Sequence, residues 1–329
     1  MVKISKGKHE GLKKLSNEHG IIGALAIDQR GSLQKMMAAY SKKDLDPSSL
    51  EKFKLLVSKE LTPYVSSILL DPEFGWPAAE SREASAGLLV AYEKTGYDAT
   101  NRGRLPDLLP NWSVKRLKEK GADAVKLLLY YDVDESAEIN GQKHAFVERV
   151  GSECAAEDVP FFLEIVSYDA NNNDVNGADY AKVKPHKVNQ AVREFIKPYY
   201  AVDVLKVEAP VNMKFVEGFS SGKPVYSQAE AKSYFKEQSD ASTLPFIFLS
   251  AGVSAELFQE TLKFAKEAGS EFNGVLCGRA TWKNGVEPFA ESGEEKAAAW
   301  LRTTGRQNIV NLNKVLRETA TPWWSRVSV

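Results

Sequence analysis

Four ionisable residues stand inside or at the tips of otherwise aliphatic runs: Asp28, Lys126, Glu164 and Lys206. Lys206 occupies the middle of Val204-Leu205-Lys206-Val207-Glu208-Ala209-Pro210, a strand-like stretch closed by a proline that cannot donate to a sheet. An ammonium is costly to desolvate there, so such a lysine tends to give up its proton and become a nucleophilic amine, the starting point of Schiff-base chemistry. The plainer reading is a lysine that snorkels from a strand edge or pairs with Glu208, two residues on and on the same face. Each of the four has such an ordinary explanation when taken singly. Together they fit an imine enzyme: Lys206 attacks a ketone, Lys126 lowers its proton affinity by like-charge repulsion, Glu164 moves protons, and Asp28 orients a hydroxyl or balances charge. Metal chemistry fits poorly. The four histidines, His9, His19, His144 and His186, fall in helical or loop segments, and none ends a strand where ligands would gather. No metal and no cofactor are therefore expected.

A second group of residues suits an anion. Ser250-Ala251-Gly252 precedes a helix starting near Ser254, and Gly278-Arg279 ends the last apolar run. Small residues let backbone N–H groups approach phosphate oxygens, and an arginine adds a planar charged fork. Gln29 and Arg30, at the polar tip after Asp28, join Ser250, Gly252, Gly278 and Arg279 as expected substrate or phosphate contacts.

The elements that must position these groups alternate along the chain. Apolar runs of strand length cover 21–28, 65–72, 87–93, 124–131, 160–166, 204–210, 245–252 and 274–279. Helical patterns cover 7–19, 113–120 and 141–157, and others follow Asp46-Pro47, Pro185 and Ser254, with a closing helix through Ile309, Leu312 and Leu316. Eight continuous apolar runs, most separated by helices, predict a parallel sheet buried on both faces, and eight such units make a (β/α)8 TIM barrel. The α/β fold expected is one barrel domain over 1–329 with an extra N-terminal and an extra C-terminal helix. An open doubly wound sheet is the competitor, but no GxGxxG follows the first run and no P-loop is present. In a barrel the polar residues at the C-terminal ends of strands converge, which brings the four ionisable groups and the anion loops to one mouth.

Composition narrows the class further. Of 329 residues, 43 are basic and 44 acidic, with no basic stripe interleaved with aromatics, so nucleic acid is not an expected partner. No apolar run reaches the roughly 20 residues of a membrane span, and the start lacks the apolar core of a signal peptide. Cys154 and Cys277 lie far apart with no CxxC, as in reduced proteins, so a cytoplasmic protein is expected. Barrels often associate through their outer helices, and a homo-oligomer is compatible with the chain.

The segments AIDQRG (26–31), LLDPE (69–73), DAVK (123–126), FLE (162–164), DVLKVE (203–208), LSAGV (249–253) and GVLCGRATW (274–282), in this order, resemble the class I tagatose 1,6-bisphosphate aldolases of the lactose and galactose pathway of Gram-positive bacteria. The resemblance covers nearly the whole chain. It implies metal-independent, reversible cleavage of D-tagatose 1,6-bisphosphate to glycerone phosphate and D-glyceraldehyde 3-phosphate, with the imine at the lysine matching Lys206 and acid/base work at the glutamate matching Glu164. It also implies a polar core completed at Asp28 and Lys126, a sugar bisphosphate as the partner molecule, and tolerance of epimers such as fructose 1,6-bisphosphate. The alternatives are a sulfo-sugar phosphate aldolase and a metabolite-sensing regulator that keeps the site.

Overall fold

The computed structural model describes residues 1–41, 46, 48–94, 97 and 100–329. Eight parallel strands close into a barrel: β1 (Ile22–Ala26), β2 (Ser67–Leu70), β3 (Gly87–Ala91), β4 (Ala124–Tyr131), β5 (Phe161–Ser167), β6 (Val204–Val207), β7 (Phe246–Leu249) and β8 (Gly274–Cys277). Each of the eight apolar runs became one strand. The seam closes where β8 pairs with β1, Ile22 opposite Gly274. Gly274 takes φ +142°, and a Cβ there would stand 2.0 Å from the Ile22 carbonyl oxygen, so only glycine fits.

Strand alternation sorts the core into two layers. Outward residues such as Leu25, Ile68, Leu88, Val125, Leu163, Leu205 and Phe248 pack with helix residues such as Phe53, Val147, Val192, Phe235 and Leu262. Inward residues Ile22, Ala24, Ala26, Leu69, Leu89, Ala91, Ala124, Phe162, Val204, Ile247 and Leu276 fill the barrel with Leu12, Leu15 and Trp323. Leu12 comes from the N-terminal helix Lys6–Lys14, which with Trp323 plugs the barrel's foot. The two chain ends meet there as a short parallel ribbon, Val2–Lys3 with Val327–Ser328. Burying each large aliphatic side chain is worth about 1.5–3 kcal/mol, which makes the unbroken strand runs self-explanatory.

Several helices differ from expectation. The helix placed beyond Pro185 spans Ala178–Phe195 with Pro185 inside it. Proline removes one backbone hydrogen bond, yet Tyr180, Ala181, Val188, Val192 and Phe195 are buried along the helix, and this packing outweighs the loss. Helices Gly31–Tyr40 and Gln228–Ala241 were not anticipated; the second opens on a capping box between Ser227 and Glu230. Helix Ser49–Leu61 starts later than expected: its N-cap is Ser48, which makes no side-chain cap, and Asp46, the expected cap, accepts from Ser48 N at 3.0 Å in the turn before it; Pro47 lies outside the described residues. Among the described residues no helix is long and apolar enough to cross a membrane.

Two ion pairs brace this wall. Lys54, wholly buried on helix Ser49–Leu61, pairs with the equally buried Asp71 beyond β2 and donates to the Ile27 carbonyl at 2.8 Å. Asp71 in turn accepts from the N–H groups of Glu73 and Phe74 at 3.1 and 2.9 Å. At the foot, Lys8 pairs with Asp203 at 2.7 Å.

Candidate active site

The inward rows that carry small and aliphatic residues at the barrel's foot carry charge one step higher. Asp28 follows Ala26, Lys126 follows Ala124, Glu164 follows Phe162 and Lys206 follows Val204, each two residues on and so on the same face. Pairing of β5 with β6 sets Glu164 directly beside Lys206. All four converge as the pattern predicted.

The contacts form a branched chain of opposite charges. Lys206 Nζ stands 2.7 Å from Glu164 Oε1, and the other oxygen of Glu164 stands 2.7 Å from Lys126 Nζ. Lys126 is also 2.9 Å from Asp28 Oδ2 and 2.6 Å from Glu93 Oε1. Glu208, the plainer partner for Lys206, is engaged elsewhere: it pairs with Lys184 at 3.2 Å and accepts from Ser167 N and Oγ at 2.7 and 2.6 Å.

The two ammoniums are therefore unlike. Lys126 is held by three carboxylates; burial opposes its charge, but Asp28, Glu164 and Glu93 outweigh it and hold its pKa well above the ordinary lysine value. Lys206 has one carboxylate partner, Glu164, among the described residues. Burial works against ionisation of Asp28 and Glu164, yet Lys126 and Lys206 more than cancel it, and both acids sit below their usual range. The two lysines, expected to act on each other by like-charge repulsion, have the Glu164 carboxylate between them.

Glu93 was missed as a site residue. It lies two residues beyond Ala91 on the same inward row of β3, so the parity that marked Asp28 marks it too. Its second oxygen accepts from Leu128 N at 3.1 Å, and its backbone carbonyl accepts from Arg30 Nη2 at 2.7 Å. Arg30 is buried and also pairs with Glu73 at 2.5 Å. It is thereby turned into the wall, locking the tips of β1, β2 and β3 together. Gln29 donates to Asp28 Oδ1 at 3.3 Å and leaves its own carbonyl oxygen buried without a partner.

The anion loops lie across β7 and β8. Gly252 adopts φ +75°, and a Cβ there would come within 3.2 Å of the Arg279 guanidinium, so the absent side chain lets the arginine lie against the loop. Arg279 is exposed, and among the described residues no carboxylate pairs with it; Ser250, two residues before Gly252 in the β7 loop, is buried. Gly278, also buried, sits at the end of β8 immediately before Arg279.

A closed parallel barrel with amines and carboxylates gathered at its C-terminal mouth is the architecture of enzymes that act on carbonyl substrates through lysine. The chain belongs to the DeoC/LacD family of aldolases, whose family model matches residues 22–284. It is 65% identical to tagatose 1,6-diphosphate aldolase 2 of Enterococcus faecalis, over 100% of this chain and 99% of that one. It is 60% identical to a tagatose 1,6-diphosphate aldolase of Staphylococcus aureus, over 98% and 99% of the two chains. Among solved structures, a fructose-bisphosphate aldolase from Plasmodium falciparum shares the fold at TM-score 0.72 and 14% identity, with 97% of each chain covered. A Schiff-base-forming fructose-1,6-bisphosphate aldolase aligns at TM-score 0.54 and 16% identity, over 90% of this chain and 98% of that one.

Proposed function

We propose that the chain, read as a single domain over 1–329, cleaves D-tagatose 1,6-bisphosphate reversibly to glycerone phosphate and D-glyceraldehyde 3-phosphate through an imine at Lys206. The observation that carries this reading is the unequal pairing of the lysines: Lys126 is fixed as a cation by three carboxylates, whereas among the described residues Lys206 pairs with one acid, Glu164, which can relay its proton.

In the cleavage direction Glu164, 2.7 Å away, takes a proton from the Lys206 ammonium, the freed amine adds to the C2 ketone, and Glu164 delivers that proton and then a second one from nitrogen to the carbinol oxygen, which leaves as water and leaves an iminium. The iminium then accepts the electron pair of the C3–C4 bond as the C4 hydroxyl gives its proton to the Glu164 carboxylate. Glyceraldehyde 3-phosphate departs, the enamine takes a proton at C3, and water releases glycerone phosphate from Lys206. Lys126 keeps Asp28 and Glu164 ionised, and Asp28 is placed to orient a substrate hydroxyl. Because the glycerone half is bonded to Lys206 on β6, its phosphate falls to the neighbouring β7 and β8 loops, where Ser250, Gly252, Gly278 and Arg279 receive it.

Acceptance of epimers such as fructose 1,6-bisphosphate belongs to the same proposal, since Lys206 reacts at C2 and does not sense C4. The test is release of glycerone phosphate from D-tagatose 1,6-bisphosphate by the purified protein, with Lys206→Met as control. Turnover by the wild type and none by the variant is expected; equal rates, or a preference for a sulfonated analogue, would contradict it.

A further inference from the structure

A ketohexose bisphosphate has two phosphates, and the β7 and β8 loops provide for one. A second cation, unpaired among the described residues, stands at the same mouth. The Arg104 guanidinium lies 5.1 Å from the ring centroids of both Tyr130 and Tyr168. Among the described residues no carboxylate pairs with it, although its neighbour Arg102 is tied to Glu135 at 2.9 Å. Two aromatic faces can hold a guanidinium in position while leaving its N–H groups free for a ligand.

The surroundings keep Arg104 in place. Its backbone sits at φ +45°, a left-handed conformation that residues with side chains seldom adopt and that persists where neighbours impose it. The Tyr168 hydroxyl donates to the Gly103 carbonyl at 3.3 Å, anchoring the loop. Behind it, buried Lys143 donates to the same hydroxyl at 3.1 Å, adding positive charge to this corner.

Topology places the two arginines on opposite sides of the barrel. Tyr130 follows Lys126 by four residues on the inward row of β4, roughly 13 Å further toward the mouth. Arg104 rests on the tips of β4 and β5, whereas Arg279 follows β8. In a ring of eight strands β4 and β8 are opposite, and β6, which carries Lys206, lies midway. Burial raises the Tyr130 phenol, Arg104 opposes the rise, Glu164 adds to it, and Lys126 and Arg279 oppose it.

We infer that Arg104, clamped between Tyr130 and Tyr168, is the subsite for the phosphate on the aldehyde half of the substrate, across the mouth from Arg279. The inference rests on the aldolase reading above. A substrate phosphate gives Arg104 an anion that no carboxylate among the described residues supplies, and the bisphosphate spans the opening with C2 over Lys206.

The experiment compares D-tagatose 1,6-bisphosphate with D-tagatose 1-phosphate for the wild type, Arg104→Leu and Arg104→Lys, together with borohydride trapping of glycerone phosphate. Arg104→Leu is expected to lower kcat/KM for the bisphosphate about 10- to 100-fold, mainly through KM. Cleavage of the 1-phosphate and trapping of glycerone phosphate, neither of which involves the distal phosphate, stay within about twofold of wild type, and Arg104→Lys recovers part of the loss. Equal losses on both substrates, or an unchanged bisphosphate KM, overturn the subsite and leave the aldolase reading standing. A wild-type protein that neither traps glycerone phosphate nor cleaves the bisphosphate overturns both.

Discussion

The barrel contains two kinds of buried lysine. In the wall and at the foot, Lys54 with Asp71 and Lys8 with Asp203 are local pairs whose remaining hydrogen bonds go to backbone groups: Asp71 takes the Glu73 and Phe74 N–H groups, and Asp203 takes Phe161 N at 2.8 Å. At the mouth, Glu164 serves two ammoniums at once, and Lys126 serves three carboxylates. A closed pair resists change, because removing either member strands a buried charge. A shared carboxylate can shift its proton and its partner while the second ammonium holds its place. Between these two sets, both buried, the difference lies in how the charges are shared; sharing alone does not mark chemistry, since buried Lys187 on helix Ala178–Phe195 also meets three carboxylates, Asp132, Asp134 and Asp169.

Substitutions in each set sharpen this contrast. Glu164→Gln should lower kcat by about 10²- to 10⁴-fold, the usual worth of acid/base catalysis, while glycerone phosphate still binds. Near-normal turnover would remove Glu164 from the proton path. Lys54→Met should act on stability instead, costing about 3–5 kcal/mol in denaturant titration by leaving Asp71 uncompensated, with Lys54→Met/Asp71→Leu recovering much of the loss. If Lys54→Met keeps full stability, the wall pair is not the brace described here.

Arg279→Ala should cost about 1.5–3 kcal/mol in kcat/KM on phosphorylated ketoses and little on an unphosphorylated one. Equal losses on both would make the arginine structural. The smallest effect concerns pH. Asp28 and Glu164 have folded pKa values below their unfolded ones, so their stabilisation is present above the unfolded carboxylate range of about 3.9–4.3 and fades as pH falls toward the folded values. Lys126→Met removes the nearest cation, so the acid limb of kcat/KM should move to higher pH. An unmoved limb would mean that Lys206 alone keeps the acids ionised.

Much of this was legible in the sequence because parallel strands buried on both faces must be continuously apolar, which makes a lysine or glutamate inside one conspicuous. Period-two alternation then put Asp28, Lys126, Glu164 and Lys206 on one surface. Acids at the ends of runs were harder to sort. Asp71 and Glu93 carry the same signal, and what separates them is Lys54 on a distant helix, which claims Asp71 for the wall. The groups that hold Arg30, Glu73 and the Glu93 carbonyl, could not be read beside it because both are remote in sequence. Helix Gln228–Ala241 was hidden by its polar composition, although Ser227 and Glu230 spell a capping box, and Pro185 masked a helix whose buried face runs straight past it.

The central claim is that Lys206, and not the more heavily compensated Lys126, is the nucleophile. Its most direct test is reduction with borohydride in the presence of labelled glycerone phosphate, followed by mapping of the modified peptide. The account predicts a single label on Lys206, lost in Lys206→Met. Label on Lys126, or undiminished labelling of Lys206→Met, would contradict it.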